Sequence, residues 1–211
     1  MAFGYVTQAS QIAGWIRQLA DPDPQKRLDS AMRLYMEGGN LCTPLLKKWI
    51  ADPEFRSLVL PRSLSPQGAP ESSHASTVVG IAVQPGTFRK IREANNSPTL
   101  ADVPPDQDAI EFELHFDDHV DLDILTTREP GGQGAIARFL TRFGEGIQQI
   151  EIYVRDVDRA TEILRSRFRL NPVYPKTRPG AGGKHINFFL ASLPEGSKVL
   201  IELVEATPES H

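Results

Sequence analysis

Apolar residues recur at helical spacing over roughly the first sixty positions and at alternate positions after residue 75, and this change of period divides the chain. Ile12, Trp15, Ile16 and Leu19 share one helical face behind Ser10, a possible cap. A second helix is predicted to begin at Asp23-Pro24, with Asp as N-cap and Pro at the first helical position. It should bury Leu28, Ala31, Leu34 and Tyr35 and stop at Gly38-Gly39. Thr43-Pro44 repeats that start signal before Leu45, Leu46, Trp49 and Ile50, so residues 8–60 read as about three short helices. Trp15-Ile16 with Ala20-Asp21-Pro22 is echoed by Trp49-Ile50 with Ala51-Asp52-Pro53, but one echo falls short of the repeats a solenoid needs. The segment is expected to be a helical cap on the main domain or on a dimer partner. Residues 61–75 hold eight Pro, Ser or Gly and read as an extended, solvated linker.

Beyond the linker, Val78–Val83 reads as a strand, a short helix is centred on Phe88 and Ile91, and strands follow at Ile110–Phe116 and Val120–Thr126. The second half repeats the order. Gln148–Val154 is a strand, and Asp156 caps a helix that aligns Val157, Ala160, Leu164 and Phe168. A short strand near Val173 and the strands His185–Leu190 and Val199–Val204 complete it. The predicted architecture is α+β: two tandem βαβββ modules over residues 76–206 forming a curved sheet cleft, preceded by a small all-α segment.

Alternation sorts the strand residues by face. Gln148, Ile150, Ile152 and Val154 should meet the helices, leaving Gln149, Glu151 and Tyr153 on the other side. The same test groups Glu202 with Leu200 and Val204, Asp121 with Asp123, Glu111 with Glu113 and His115, and His185 with Asn187. Taken singly, each is an ordinary polar residue of a half-solvated sheet. Together they would line a binding cleft rich in acids and amides.

Composition narrows the function classes. The 211 residues are 40% apolar and 24% charged, as in a globular protein. A net charge of −4 argues against nucleic acid as a partner, since phosphate neutralisation needs a basic face. No apolar run approaches a bilayer span, and the N-terminus does not resemble a signal peptide, so no membrane partner is expected. The single Cys42 excludes an internal disulfide and a thiolate zinc cluster, fits a reducing cytoplasm, and reads as an inert thiol.

Several motifs carry a resemblance. Gly144-Glu-Gly-Ile-Gln-Gln-Ile150, Val154-Arg-Asp-Val157, Arg178-Pro-Gly-Ala-Gly-Gly183, Phe188-Phe-Leu190 and Val199-Leu-Ile-Glu-Leu-Val-Glu205 fall in the order seen in methylmalonyl-CoA epimerases. Those belong to the vicinal oxygen chelate superfamily, with glyoxalase I and the bleomycin-resistance proteins. Ile136-Ala-Arg-Phe-Leu140 is similar to the epimerase helix between modules, and Val103-Pro-Pro-Asp-Gln107 to its Pro-Glu-Gln loop. The resemblance covers residues 76–206.

The family's metal site is degenerate here. Val78 stands at the first His position, and Gln149 stands where the Gly-Leu-His-His-Ile pattern has its second His. The remaining ligand positions correspond to Asp123 and Glu202, so the resemblance implies at most Asp123, Gln149 and Glu202 around a metal. Such an oxygen set suits magnesium, manganese or calcium better than zinc or cobalt. The alternatives are a divalent metal (magnesium, manganese or cobalt) and none. By the same resemblance, Glu202 and Asp106 would be the paired acid and base of proton transfer next to a carbonyl. Glu151, Tyr153, Arg178, Lys184, His185 and Asn187 are candidate ligand-binding residues, and Arg178 or Lys184 is the cation that could replace a metal. The turn Arg178–Lys184 could also cradle a phosphate by its N–H groups, although it precedes a strand and not a helix.

Three functions stay open: a divergent isomerase or lyase acting on a small acyl or carbonyl compound, a metal-free small-molecule binder, and an interaction module with a vestigial cleft. A small-molecule ligand and a homodimer are the expected partners.

Overall fold

The computed structural model describes residues 3–61, 76–116, 120–193 and 196–206. All but the first residue of the 61–75 linker lies outside the described residues. The architecture is α+β. Chain order is α1 (Phe3–Gln18), α2 (Pro24–Trp49), α3 (Pro53–Leu58), β1 (Thr77–Ala82), α4 (Pro85–Ala94), β2 (Ile110–Phe116), β3 (Val120–Thr126), α5 (Ala135–Phe143), β4 (Gly146–Val154), α6 (Val157–Phe168), β5 (Arg178–Pro179), β6 (His185–Ser192) and β7 (Lys198–Glu205).

The expected stop at Gly38-Gly39 and restart at Thr43-Pro44 do not occur, because α2 runs through both. Its buried positions Ala31, Leu34, Gly38, Cys42, Leu45 and Trp49 form one unbroken stripe at spacings of three and four. Burial of that stripe outweighs the roughly 1 kcal/mol that a glycine costs a helix interior. Pro44 removes one intrahelical N–H, while the Thr43 hydroxyl donates to the Gly39 carbonyl at 2.7 Å. Burial pushes the Cys42 thiol up to about 12, which keeps it protonated and unreactive.

The chain divides into two compact units, residues 1–38 with 79–148 and residues 39–78 with 149–211. In the first, β2 pairs antiparallel with β3, and β3 parallel with β1. Phe112, Leu114, Leu122 and Ile124 point to the helix side, where the rings of Phe88 and Phe112 meet edge to face at 4.8 Å. Asn95, just past α4, donates to the Leu19 carbonyl at 2.9 Å and so ties α1 to this unit. Asp108 anchors the following loop, accepting from the Thr127 hydroxyl at 2.6 Å and from Arg128 N–H at 2.9 Å. A Cβ at Gly134 would run into that carboxylate, which is why the loop needs glycine there.

In the second unit the strand order is β4-β7-β6-β5. Trp49 and Phe55 pack edge to face at 6.0 Å, and Val59 bridges to Val154. Asp156 caps α6 as its sequence predicts, accepting from Arg159 N–H at 2.8 Å. The strand expected near Val173 is a correction. Prolines 172 and 175 interrupt that stretch, Pro172 makes only an isolated bridge to Phe189, and the short strand is β5.

An ion network joins α3 to α6. Asp52 caps α3 through the N–H groups of Glu54 and Phe55, both at 3.0 Å, and also takes Arg167 at 2.7 Å. Glu54 takes Arg159 at 2.6 Å and is paired with Arg167. Hydrogen bonds from Arg167 to Asp52 and from Arg159 to Glu54 hold both carboxyls below the usual carboxylate range. A carboxyl whose pKa is depressed by folding adds stability above its unfolded pKa and loses it as pH falls through the folded value. Stability should therefore fall on acidification below pH about 4. In an Arg167→Ala variant that acid slope should be shallower, as read by urea unfolding at pH 3 and pH 7; an unchanged slope would count against the network.

Candidate functional site

The pairing of β4 with β7 fixes the site. These strands run parallel with Gln149 beside Leu200, Glu151 beside Glu202 and Tyr153 beside Val204. Residues in register share a face, so both carboxylates and the amide project to the same side. All three are nearly buried: Gln149 is 5%, Glu202 7% and Glu151 8% exposed, unusual for polar residues on a sheet face. The Gln149 side-chain N–H group donates to Glu202 Oε2 at 2.7 Å, with Glu151 Oε1 at 3.4 Å. Two carboxylates facing each other repel when both are ionised, and the amide donor offsets part of that cost.

Cations and aromatic rings adjoin the acids. The Lys184 ammonium lies 3.4 Å from the Tyr153 hydroxyl and 5.2 Å from its ring centroid. The Arg178 guanidinium stacks over Tyr174 at 4.7 Å, and Tyr174 meets Phe188 edge to face at 6.1 Å. Because Phe188 pairs with Glu202 and Arg178 with Ile186, these β5 and β6 residues share the face of the acids. Alternation picks out neither Tyr174 nor Phe188, because Phe188-Phe189-Leu190 is apolar on both faces.

The register also corrects one expected grouping. Ile186 opposes Val204 and Asn187 opposes Leu203, so His185 and Asn187 face away from Glu202. Asn187 is fully buried there and donates to the Tyr174 carbonyl at 3.2 Å. His185 pairs with Glu205 at 3.0 Å. In the first unit the expected grouping appears: Glu111, Glu113 and His115 oppose Leu125, Asp123 and Asp121. His115 sits 2.8 Å from Asp121 and 3.4 Å from Glu113. Asp123 is buried on β3, and Asp106 occupies an exposed turn closed by Gln107 N–H to the Pro104 carbonyl. Both belong to the first unit, whereas Gln149 and Glu202 belong to the second.

The glycine turn before β6 uses its own donors. Gly180 N–H bonds the Lys184 carbonyl at 2.8 Å, Gly183 N–H the Gly180 carbonyl and Lys184 N–H the Ala181 carbonyl. Those three N–H groups are thus committed within the turn, and a Cβ at Gly180 would meet Ile186 at 2.7 Å. The turn aims Lys184 and does not offer these donors to a phosphate.

No family model matches the chain, and no curated protein does. Solved structures do. Methylmalonyl-CoA epimerase from Mycobacterium tuberculosis is 30% identical, matching 63% of this chain and 87% of that one with a TM-score of 0.49. A hypothetical protein from Bacillus halodurans is 21% identical, matching 64% of this chain and 99% of that one at 0.51. The chain has the fold of the vicinal oxygen chelate superfamily. Streptomyces coelicolor methylmalonyl-CoA epimerase, solved with 2-nitronate-propionyl-CoA, is 23% identical over 62% of this chain and 95% of its own, at 0.47.

Members of the vicinal oxygen chelate superfamily raise the question of a metal. Among the described residues no group of three or more His, Cys, Asp or Glu is gathered where one ion would be held. The imidazole positions are filled by Val78 and Gln149, and the Gln149 amide turns its N–H group to Glu202. An N–H donor does not ligate a cation. These donors do not fit a transition metal.

The amide bond to Glu202 has a measurable consequence. Gln149→Leu leaves the buried Glu202 carboxylate without that donor and should cost about 1–3 kcal/mol of stability. Urea unfolding checks it, and a loss within experimental error would contradict the pairing.

Proposed function

We propose that the protein is a divergent vicinal oxygen chelate protein that binds a small acyl or carbonyl compound on the Glu151–Glu202 face and moves a proton through Glu202. The observation that carries this is the 2.7 Å bond from the Gln149 amide to a nearly buried Glu202. The amide donor fixes the carboxylate in direction, and in its ionised form it can accept a proton from a carbon next to a carbonyl. Glu151, in register beside it, can take part in returning the proton. Lys184, aimed by the glycine turn and set against Tyr153, supplies positive charge for the ligand's carboxylate or for the enolate oxygen that forms. This cation reconciles an acidic sheet face with an anionic ligand.

A second reading, ligand binding without chemistry, draws on the same bond, since the Gln149 amide occupies a Glu202 oxygen that would otherwise take the proton. The single buried Cys42 supports a reducing cytoplasm for either reading, and the family resemblance supports a homodimer. A panel of acyl thioesters, including methylmalonyl-CoA, with short carboxylates and dicarbonyl compounds, followed by proton NMR in D2O, separates them. Line broadening with loss of the signal next to the carbonyl supports the enzyme. Broadening alone supports the binder. No response across the panel contradicts both.

A further inference from the structure

The first unit holds a groove of about 470 Å³ on the side of its sheet opposite the acids, within the size range of small-ligand sites. Ile110 and Thr126 reach it from β2 and β3 and lie in register with each other; Phe88 forms its wall from α4. Leu100, 42% exposed, also lines it and adds apolar surface open to a ligand. Its rim carries three guanidinium groups, Arg89, Arg92 and Arg128, against one carboxylate, Glu93. In a chain of net charge −4 this is a local excess of positive charge around an apolar floor.

Two of the arginines are held in place by backbone carbonyls. Arg92 donates Nε to the Pro98 carbonyl at 2.8 Å and Nη2 to that of Ser97 at 3.4 Å; Arg128 donates Nη2 to the Val103 carbonyl at 3.3 Å. A guanidinium has five donors in a planar fork, so these bonds orient each group without exhausting it. Thr126 and Thr127 are already committed, to the Val83 carbonyl and to Asp108, and leave the polar recognition to the arginines.

We propose that this groove binds an organic anion with an unbranched apolar body, its carboxylate on the arginine rim and its chain over Phe88, Leu100 and Ile110. The site lies wholly in the first unit and shares no residue with the Glu202 face of the second, so it stands or falls independently of the function proposed above. Decanoate is the probe, titrated into the full chain at low salt and followed through amide proton–nitrogen NMR shifts. Saturable shifts centred on Phe88, Leu100 and Ile110 are expected. Arg89 is exposed and takes no part in the core, so Arg89→Glu should keep the native spectrum and weaken decanoate by about tenfold or more, the scale of one charge-assisted bond. Arg128→Gln should act in the same direction. Decanol and acetate, each lacking one half of the chemistry, should bind more weakly than decanoate. The proposal is overturned if shifts centre on β4 and β7, if Arg89→Glu binds as the native chain does, or if decanol matches decanoate.

Discussion

Replacing Phe112 by alanine should lower the unfolding free energy by about 3–5 kcal/mol. The ring is fully buried on the helix side of the first sheet, next to Leu114, Leu122 and Ile124, and meets Phe88 at 4.8 Å. The loss has two parts, the transfer of the ring and the cavity left behind, and the edge-to-face pair adds about 0.5–1.5 kcal/mol. A domain is stable by only about 5–15 kcal/mol, so the variant gives up a large share of that. Phe143, 63% exposed at the end of α5 with a surface ring contact to Phe139 at 5.3 Å, is the control, and Phe143→Ala should cost no more than about 1.5 kcal/mol. Urea unfolding of the two variants decides the matter; equal losses would mean that the helix-side core is not where the structure puts it.

Much of the fold was legible because its signals are local. Strands β2 and β3 match the limits that alternation predicts, residue for residue, and α6 begins where Asp156 caps it. The misreading of α2 has a clear cause. Glycine pairs and a Thr-Pro step are local stop and start signals, whereas the stripe from Ala31 to Trp49 is a tertiary demand, and the tertiary demand won.

The site was legible to a different depth. Alternation put Gln149 and Glu151 on one face, and Glu202 on a face of β7, without saying that these faces coincide. Register decides that, and register depends on partners fifty residues away: Glu151 meets Glu202, whereas His185 and Asn187 fall on the other side. The link between Lys184 and Tyr153 needs a turn conformation, with Gly182 and Gly183 at positive φ, that composition only hints at. The arginine-rimmed groove draws residues from 85 to 130 across a helix, two strands and a loop, and no sequence window contains it.

The central claim is that Glu202 moves the proton, and its most direct test is hydrogen exchange at the carbon next to the carbonyl, in D2O, for the panel compound that responds most strongly. Glu202→Gln keeps the side chain's length and polarity but removes its basicity. General base catalysis by a positioned carboxylate contributes about 10²–10⁴-fold, so exchange should slow by that factor while the compound still broadens on binding. Undiminished exchange in Glu202→Gln, with binding retained, would contradict the assignment.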